Sequence, residues 1–273
     1  MQWSKVKTIL IFILVVVDAF LFSHLLSGYY TEFRRAEEKN EYFLTILTRE
    51  GIAAAEDFSL PETLLLPMLE VDRNKTDEDL FTKGLLGENM ERTEDAAGNT
   101  VYQSPLGKIV WSTEGKVQGA FSPANYEYPR SEREMRVRTA QILETCGISS
   151  TIKIEANLEE QSVSSGFDTA GAPVFNRNLR FVFGASEILV DGWWTFQTPY
   201  MVQTNNYVVC EPTDAILTLL KEEPSVNQID AAAVGYILLT NAGRQISIVP
   251  CCRITTEQGV FFVDSLKNTV LDL

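Results

Sequence analysis

The segment TILIFILVVVDAFLFSHLLS, residues 8–27, constrains this chain more than any other, because twenty residues pass with no lysine or arginine and a single carboxylate, Asp18. At about 1.5 Å per residue they match the ~30 Å hydrocarbon core of a bilayer. Fourteen of them are Leu, Ile, Val or Phe. At roughly −0.3 to −0.6 kcal/mol each, these outweigh the roughly +3 kcal/mol of a central aspartate. The expectation is a membrane-spanning helix. No A-x-A-like cleavage pattern lies between Ser23 and Tyr30, and no lipobox cysteine is present, so an uncleaved anchor is favoured over a removable signal peptide. Lys5 and Lys7 precede the segment and Arg34, Arg35 and Lys39 follow it, a weak charge bias. Large domains often cross regardless of such flanks, so residues 1–7 are placed in the cytoplasm and residues 28–273 outside it.

At helical spacing Asp18 shares a face with Ile11, Leu14, Leu21 and Leu25, the 3-4 stripe of a helix that packs on another. Intramembrane ionisable groups usually face protein or water rather than lipid. These five residues are therefore the candidate partner-binding site. The competing reading is a protonated aspartate tolerated without a partner.

The remaining chemistry is defined largely by what is missing. The 273 residues carry 37 Asp and Glu against 23 Lys and Arg, a formal charge of −14 that repels nucleic-acid phosphates. Histidine occurs once, as His24, which removes Ser-His-Asp triads, Cys-His pairs and His-containing zinc sites. The cysteines, Cys146, Cys210, Cys251 and Cys252, form no CxxC pair. Unpaired buried thiols are favoured over a Cys146–Cys210 bridge, and the adjacent pair should face opposite sides of a strand. DRNKTDED, residues 72–79, resembles a calcium loop at Asp72, Asn74 and Thr76, but it lacks the turn glycine and has Lys83 where the closing Glu belongs. It reads as a solvated connection. No phosphate-binding glycine motif occurs, and no catalytic residue, cofactor or metal site is expected.

Beyond residue 28 the text alternates helices with strands. TEFRRAEEKNEYFLTILTRE reads as an amphipathic helix with Phe33, Ala36, Phe43 and Leu47 on its apolar side, capped by Gly51. SEREMRVRTAQILETC opens with the capping box Ser131-x-x-Glu134 and stops at Gly147. ILTREGIA (46–53) and ILETCGIS (142–149) share I-L-x-x-x-G-I at an offset of 96 residues, a hint of duplication. Each is followed by strand-like text. Asp191-Gly192 reads as a hairpin turn between EILV and WWTF, with Leu189, Trp194 and Phe196 on the buried face and Trp193 on the other. DAILTLLKEE (214–223) is a third helix, ended by Pro224 and followed by four strands. SPANYEYPRS, residues 122–131, is the best domain boundary.

The opening MQWSKVKTILIFILVVVDAFL, the helix ending at Gly51-Ile52, and the terminal GYILL, ISIVPCCRI and GVFFVDSLKNTVL resemble the YycI proteins, and more distantly YycH, of Gram-positive bacteria. Cys252 stands where that family's terminal strand carries a tryptophan, and SLKN replaces its closing A-x-T-G. The resemblance implies an accessory regulator of a WalK-type sensor histidine kinase in a two-component system, with a YycH-like protein as a further partner. It maps Asp18 onto the polar anchor position and Trp3, Ser4 and Lys5 onto the opening motif, and it supplies no catalytic residues. The expected architecture is α+β: an N-terminal transmembrane helix (8–27), then PepSY-like modules at 28–125 and 126–273, each a helix packed on an antiparallel sheet. The alternative function is a membrane-tethered extracytoplasmic binding module for cell-wall fragments or peptides.

Overall fold

The computed structural model describes residues 3–271, apart from 73, 125, 149–151, 194–199, 202–206 and 241–244. Four helices are formed, α1 (Trp3–Arg49), α2 (Lys75–Leu86), α3 (Glu132–Thr145) and α4 (Pro212–Glu222). The first strands are β1 (Ala53–Ala54), β2 (Leu64–Pro67), β3 (Leu69–Asp72), β4 (Glu91–Glu94), β5 (Thr100–Ser104), β6 (Gly107–Trp111) and β7 (Lys116–Phe121). After α3 come β8 (Ile152–Asn157), β9 (Ser162–Thr169), β10 (Ala172–Phe183), β11 (Ile188–Trp193), β12 (Tyr200–Met201) and β13 (Tyr207–Cys210). The chain closes with β14 (Gln228–Thr240), β15 (Gln245–Thr256), β16 (Gly259–Asp264) and β17 (Thr269–Val270).

Fifteen of these strands join one sheet, and β2 with β13 form a separate two-stranded ribbon. The strand that unites the sheet is β10. Its C-terminal part lies antiparallel between β9 and β11, and its N-terminal part runs parallel to β14, with Val174 opposite Tyr236. On one side of this junction, α2 and α3 cover a core that includes Phe81, Trp111, Met135, Leu143, Phe181 and Val190. The Trp111 indole N–H donates to Thr82 Oγ1 at 2.8 Å, and that hydroxyl donates to the Glu78 carbonyl at 2.8 Å, so the largest buried ring carries no orphaned donor. On the other side, α4 and the end of α1 cover Ile229, Cys252, Ile254 and Val263.

This arrangement corrects the expected architecture in two respects. The molecule is a mixed α/β chain made mostly of sheet, not a series of modules that each pair one helix with its own sheet. Strands from opposite ends of the sequence alternate: β1 pairs with β14, β3 with β15, and β7 with β11 across the 122–131 segment. Backbone groups at the edge of a short local sheet need partners, and strands far away in sequence supply them. Second, no helix among the described residues is long and apolar enough to cross a membrane. Of the 8–27 segment, the side chains of residues 14, 15, 17, 18 and 20–23 are described. Its other positions, 8–13, 16, 19 and 24–27, lie outside the residues whose side chains are described.

Two local expectations also change. Asp191-Gly192 is not a turn, because β11 runs straight through it between β7 and β10. The reversal occurs earlier, where the Gly184 N–H donates to the Glu187 carbonyl at 2.8 Å. Gly192 is required for another reason: with φ +141°, a Cβ there would stand 2.0 Å from the Asn178 carbonyl oxygen. The faces shift with it, so that Ile188 and Val190 are buried and Leu189 is 45% exposed; Trp194 and Phe196 lie outside the described residues. The 72–79 stretch is not merely a solvated connection, since the Asn74 side chain accepts from the Thr76 N–H and caps α2.

Candidate functional site

The most distinctive surface is α1 together with its footing. The helix runs 47 residues without a break, merging the segment read as an anchor with the amphipathic helix read after it. Its last turns are fixed in the core. Phe43 and Leu47 are 2% and 1% exposed and pack with Ala215, Ile216 and Leu219 of α4. The helix ends in a Schellman cap: Gly51 (φ +79°) donates to the Thr48 carbonyl at 3.1 Å, and Ile52 reaches back to the Leu47 carbonyl at 2.9 Å.

A polar clamp stands beside this footing. Lys39 Nζ donates to Glu211 Oε1 at 2.7 Å and to Thr63 Oγ1 at 3.3 Å, while Thr63 and Thr213 each donate to the same carboxylate at 2.7 Å. Partial burial pushes the Glu211 carboxyl up, but the hydrogen bonds from Lys39, Thr63 and Thr213 and the lysine charge outweigh it and hold the group at about 2. Glu211 immediately precedes α4, and Thr63 precedes β2, so the clamp binds α1 to two other elements.

Toward its N-terminal end α1 is exposed at every side chain described between positions 14 and 23. Leu14, Val15, Val17, Phe20, Leu21 and Phe22 are 48–69% exposed, and Asp18 is exposed among them. Of the expected partner stripe, Leu14, Asp18 and Leu21 therefore lie bare on one helix. The side chains of Ile11 and Leu25, and of the opening-motif residues Trp3, Ser4 and Lys5, lie outside the described residues. Lys39, Thr63 and Glu211 carried no signal in the sequence; they come together over separations of 24, 148 and 172 residues.

A second concavity of about 260 Å³ opens between α2, α3 and the end of β7, with Phe121, Tyr126, Ile142 and Ile188 as apolar walls and Arg138 and Gln141 at the rim. The Tyr126 hydroxyl donates to the Gly184 carbonyl at 2.7 Å and Arg138 pairs with Glu127 at 3.3 Å, so two of its polar groups are already engaged. All four cysteines are free and buried. Burial pushes the Cys146 and Cys252 thiols up to about 12, leaving them protonated and inert at neutral pH. Among the described residues, no cluster of three or more His, Cys, Asp and Glu could hold a metal ion.

No family model matches the chain, and no curated protein matches it. Similar solved structures include an uncharacterized protein from Eubacterium rectale, 10% identical over 77% of this chain and 86% of its own with a TM-score of 0.42. The C-terminal domain of YpeB from Bacillus megaterium is also similar, 10% identical over 74% of this chain and 96% of its own with a TM-score of 0.35. Likenesses this remote assign neither a family nor an activity.

Proposed function

We propose that this chain is a regulatory subunit of a two-component system, working on the external side of the cell membrane, that modulates a WalK-type sensor histidine kinase through α1 and the sheet body. The observation that carries this reading is the contrast along α1: an exposed apolar surface around Asp18, on the same helix as a footing fixed by Phe43, Leu47 and the Lys39–Glu211 clamp. A helix bound by a partner at one end and rooted in a core at the other transmits tilt or rotation to that core, because packed interfaces shift as units. The resemblance of the terminal motifs to those of the YycI proteins is the reason for choosing this kind of partner. One interhelical hydrogen bond from Asp18, worth about 0.6 to 2 kcal/mol in an apolar setting, sets pairing while leaving it reversible. In co-purification of the full chain with the kinase, Asp18→Leu is expected to reduce recovery severalfold with the body still folded. Unchanged recovery removes the assignment.

A second reading is a tethered binding module for cell-wall fragments or peptides, and the concavity beside α3 favours it. That reading expects an unrelated N-terminal helix to replace residues 3–38 with kinase output preserved, whereas the first expects output to be lost.

A further inference from the structure

Arg138, Gln141, Ile142 and Thr145 fall at spacings of three and four along α3, so they share one face of the helix. That face adjoins the core stripe of Met135, Thr139 and Leu143, yet Arg138 and Ile142 are only half-buried and Gln141 and Thr145 are exposed. What the four residues line is the concavity of about 260 Å³, with Phe121, Tyr126 and Ile188 among its other walls.

Those walls are fixed. Where α2 crosses α3, a Cβ on Gly84 would stand 2.7 Å from Cys146 Cα and 2.8 Å from the Thr145 carbonyl oxygen. The helices therefore meet backbone to backbone, and Gly84 forms part of the lining. In the segment between β7 and α3, the Ser122 hydroxyl donates to the Ser186 carbonyl at 2.8 Å and the Tyr126 hydroxyl to the Gly184 carbonyl at 2.7 Å. These bonds pin the segment to the turn before β11, and a pre-formed cavity binds without the cost of ordering its walls.

The charge of the lining runs against that of the molecule. Arg138 is the one charged side chain among the described residues that line the cavity, in a chain whose formal charge is −14. Its charge reaches the Tyr126 hydroxyl: burial raises the pKa of that group above the ordinary tyrosine value, and the guanidinium acts in the opposite direction. A guanidinium has five N–H donors. Among the described residues this one makes a single ion pair, from Nη2 to Glu127 Oε2 at 3.3 Å. The Glu127 side chain is 85% exposed, so the contact is solvated, contributes little and is open to exchange with another carboxylate. The volume lies just below the roughly 300–1,000 Å³ of sites for drug-sized ligands, which suits one apolar group with one charged end.

We propose that the concavity between α2, α3 and the end of β7 binds a small apolar carboxylate, its acid group paired with Arg138 and its apolar part against Phe121, Ile142 and Ile188. The planar fork of a guanidinium donates two parallel N–H bonds to the two oxygens of a carboxylate. An inorganic anion would leave the apolar walls in water, so the acid carries an apolar group that covers them. The proposal rests on the second reading, the tethered binding module, and supplies its ligand class. The two fail separately, because helix replacement is scored by kinase output whereas ligand binding is measured on the chain alone.

The test is isothermal titration calorimetry of the full chain with N-acetylphenylalanine, which mimics a peptide end, with hexanoate, which mimics an acyl chain, and with the neutral amide of each. Saturable binding of at least one acid at about 1 mM or tighter is expected, with its amide weaker by about tenfold or more. The acid bound more tightly tells a peptide end from an acyl chain. Arg138→Met should remove the preference for acid over amide, and Glu127→Gln, which frees the guanidinium, should tighten acid binding severalfold. Ile142→Trp, which fills the cavity, should abolish binding of acid and amide alike; if it fails to fold, the Arg138 and Glu127 variants carry the test. Absence of saturable binding of either acid overturns the proposal, as does equal binding of acid and amide by the native chain or an unchanged preference in Arg138→Met.

Discussion

Helices α1 and α3 end in the same way and serve different purposes. In α3, Gly147 (φ +78°) donates to the Glu144 carbonyl at 3.0 Å and Ile148 to the Leu143 carbonyl at 2.9 Å, the bonding found at Gly51 and Ile52. In each cap the leucine two positions before the last helical residue and the isoleucine after the glycine enter one core, Leu143 with Ile148 and Leu47 with Ile52. The shared I-L-x-x-x-G-I text is thus accounted for by cap chemistry, without recourse to duplication. What differs is the other end. The α3 helix is 14 residues long and starts at Ser131, which accepts from the Glu134 N–H, so it lies wholly on its sheet. The α1 helix runs 47 residues; its last turns are packed, and the side chains described at positions 14–23 are exposed. The same stop signal closes a structural helix in one place and roots an arm in the other.

Truncating the two equivalent leucines tests that contrast most severely. Leu47→Ala and Leu143→Ala should each cost about 2 to 5 kcal/mol. Urea unfolding should lose a single cooperative transition in the α3 variant, while limited proteolysis of the α1 variant should release the arm before the body unfolds. Retention of α1 in Leu47→Ala would show that the clamp alone suffices to hold it. The cap glycines come next: Gly51→Ala and Gly147→Ala each force a Cβ into the left-handed region and should cost about 1 to 2 kcal/mol, measurable as a lower denaturation midpoint with unchanged m-value.

Smaller effects separate the two starts and the two footings. Ser131→Ala should destabilise by about 1 kcal/mol through the lost N-cap, whereas alanine at the exposed Leu14, Val15, Val17, Phe20, Leu21 or Phe22 should leave the stability of the isolated protein unchanged. Glu211 provides a pH signature specific to α1. Its folded pKa of about 2 lies below the ordinary 4.5, so its contribution is present above about pH 4.5 and disappears as the pH falls toward 2. Because the clamp is partly solvated, that contribution is under about 1 kcal/mol. The stability difference between native protein and Glu211→Gln should therefore be visible at pH 7 and vanish near pH 2; a difference that persists at pH 2 would assign the effect to packing.

The sequence alone determined whatever a few neighbouring residues can decide. Helix starts and stops at Ser131, Gly147 and Gly51 were legible because each cap is a local hydrogen-bond pattern, as was α4, with its apolar spacing and following Pro224. The burial of all four thiols followed from their apolar context. Asn74 carries a readable cap signal, masked in the sequence by the acidic residues around it. Asp191-Gly192 misled because the dipeptide that suits a tight turn also suits a strand position where a neighbouring carbonyl excludes a Cβ.

Tertiary structure decided everything that required distant strands to meet. The joining of strands from both ends of the chain through β10 and the gathering of Lys39, Thr63 and Glu211 both join residues many tens of positions apart. Pattern within a window fixes which face of an element is apolar. Which other element covers that face depends on the whole chain satisfying its backbone hydrogen bonds and burying its apolar surface together.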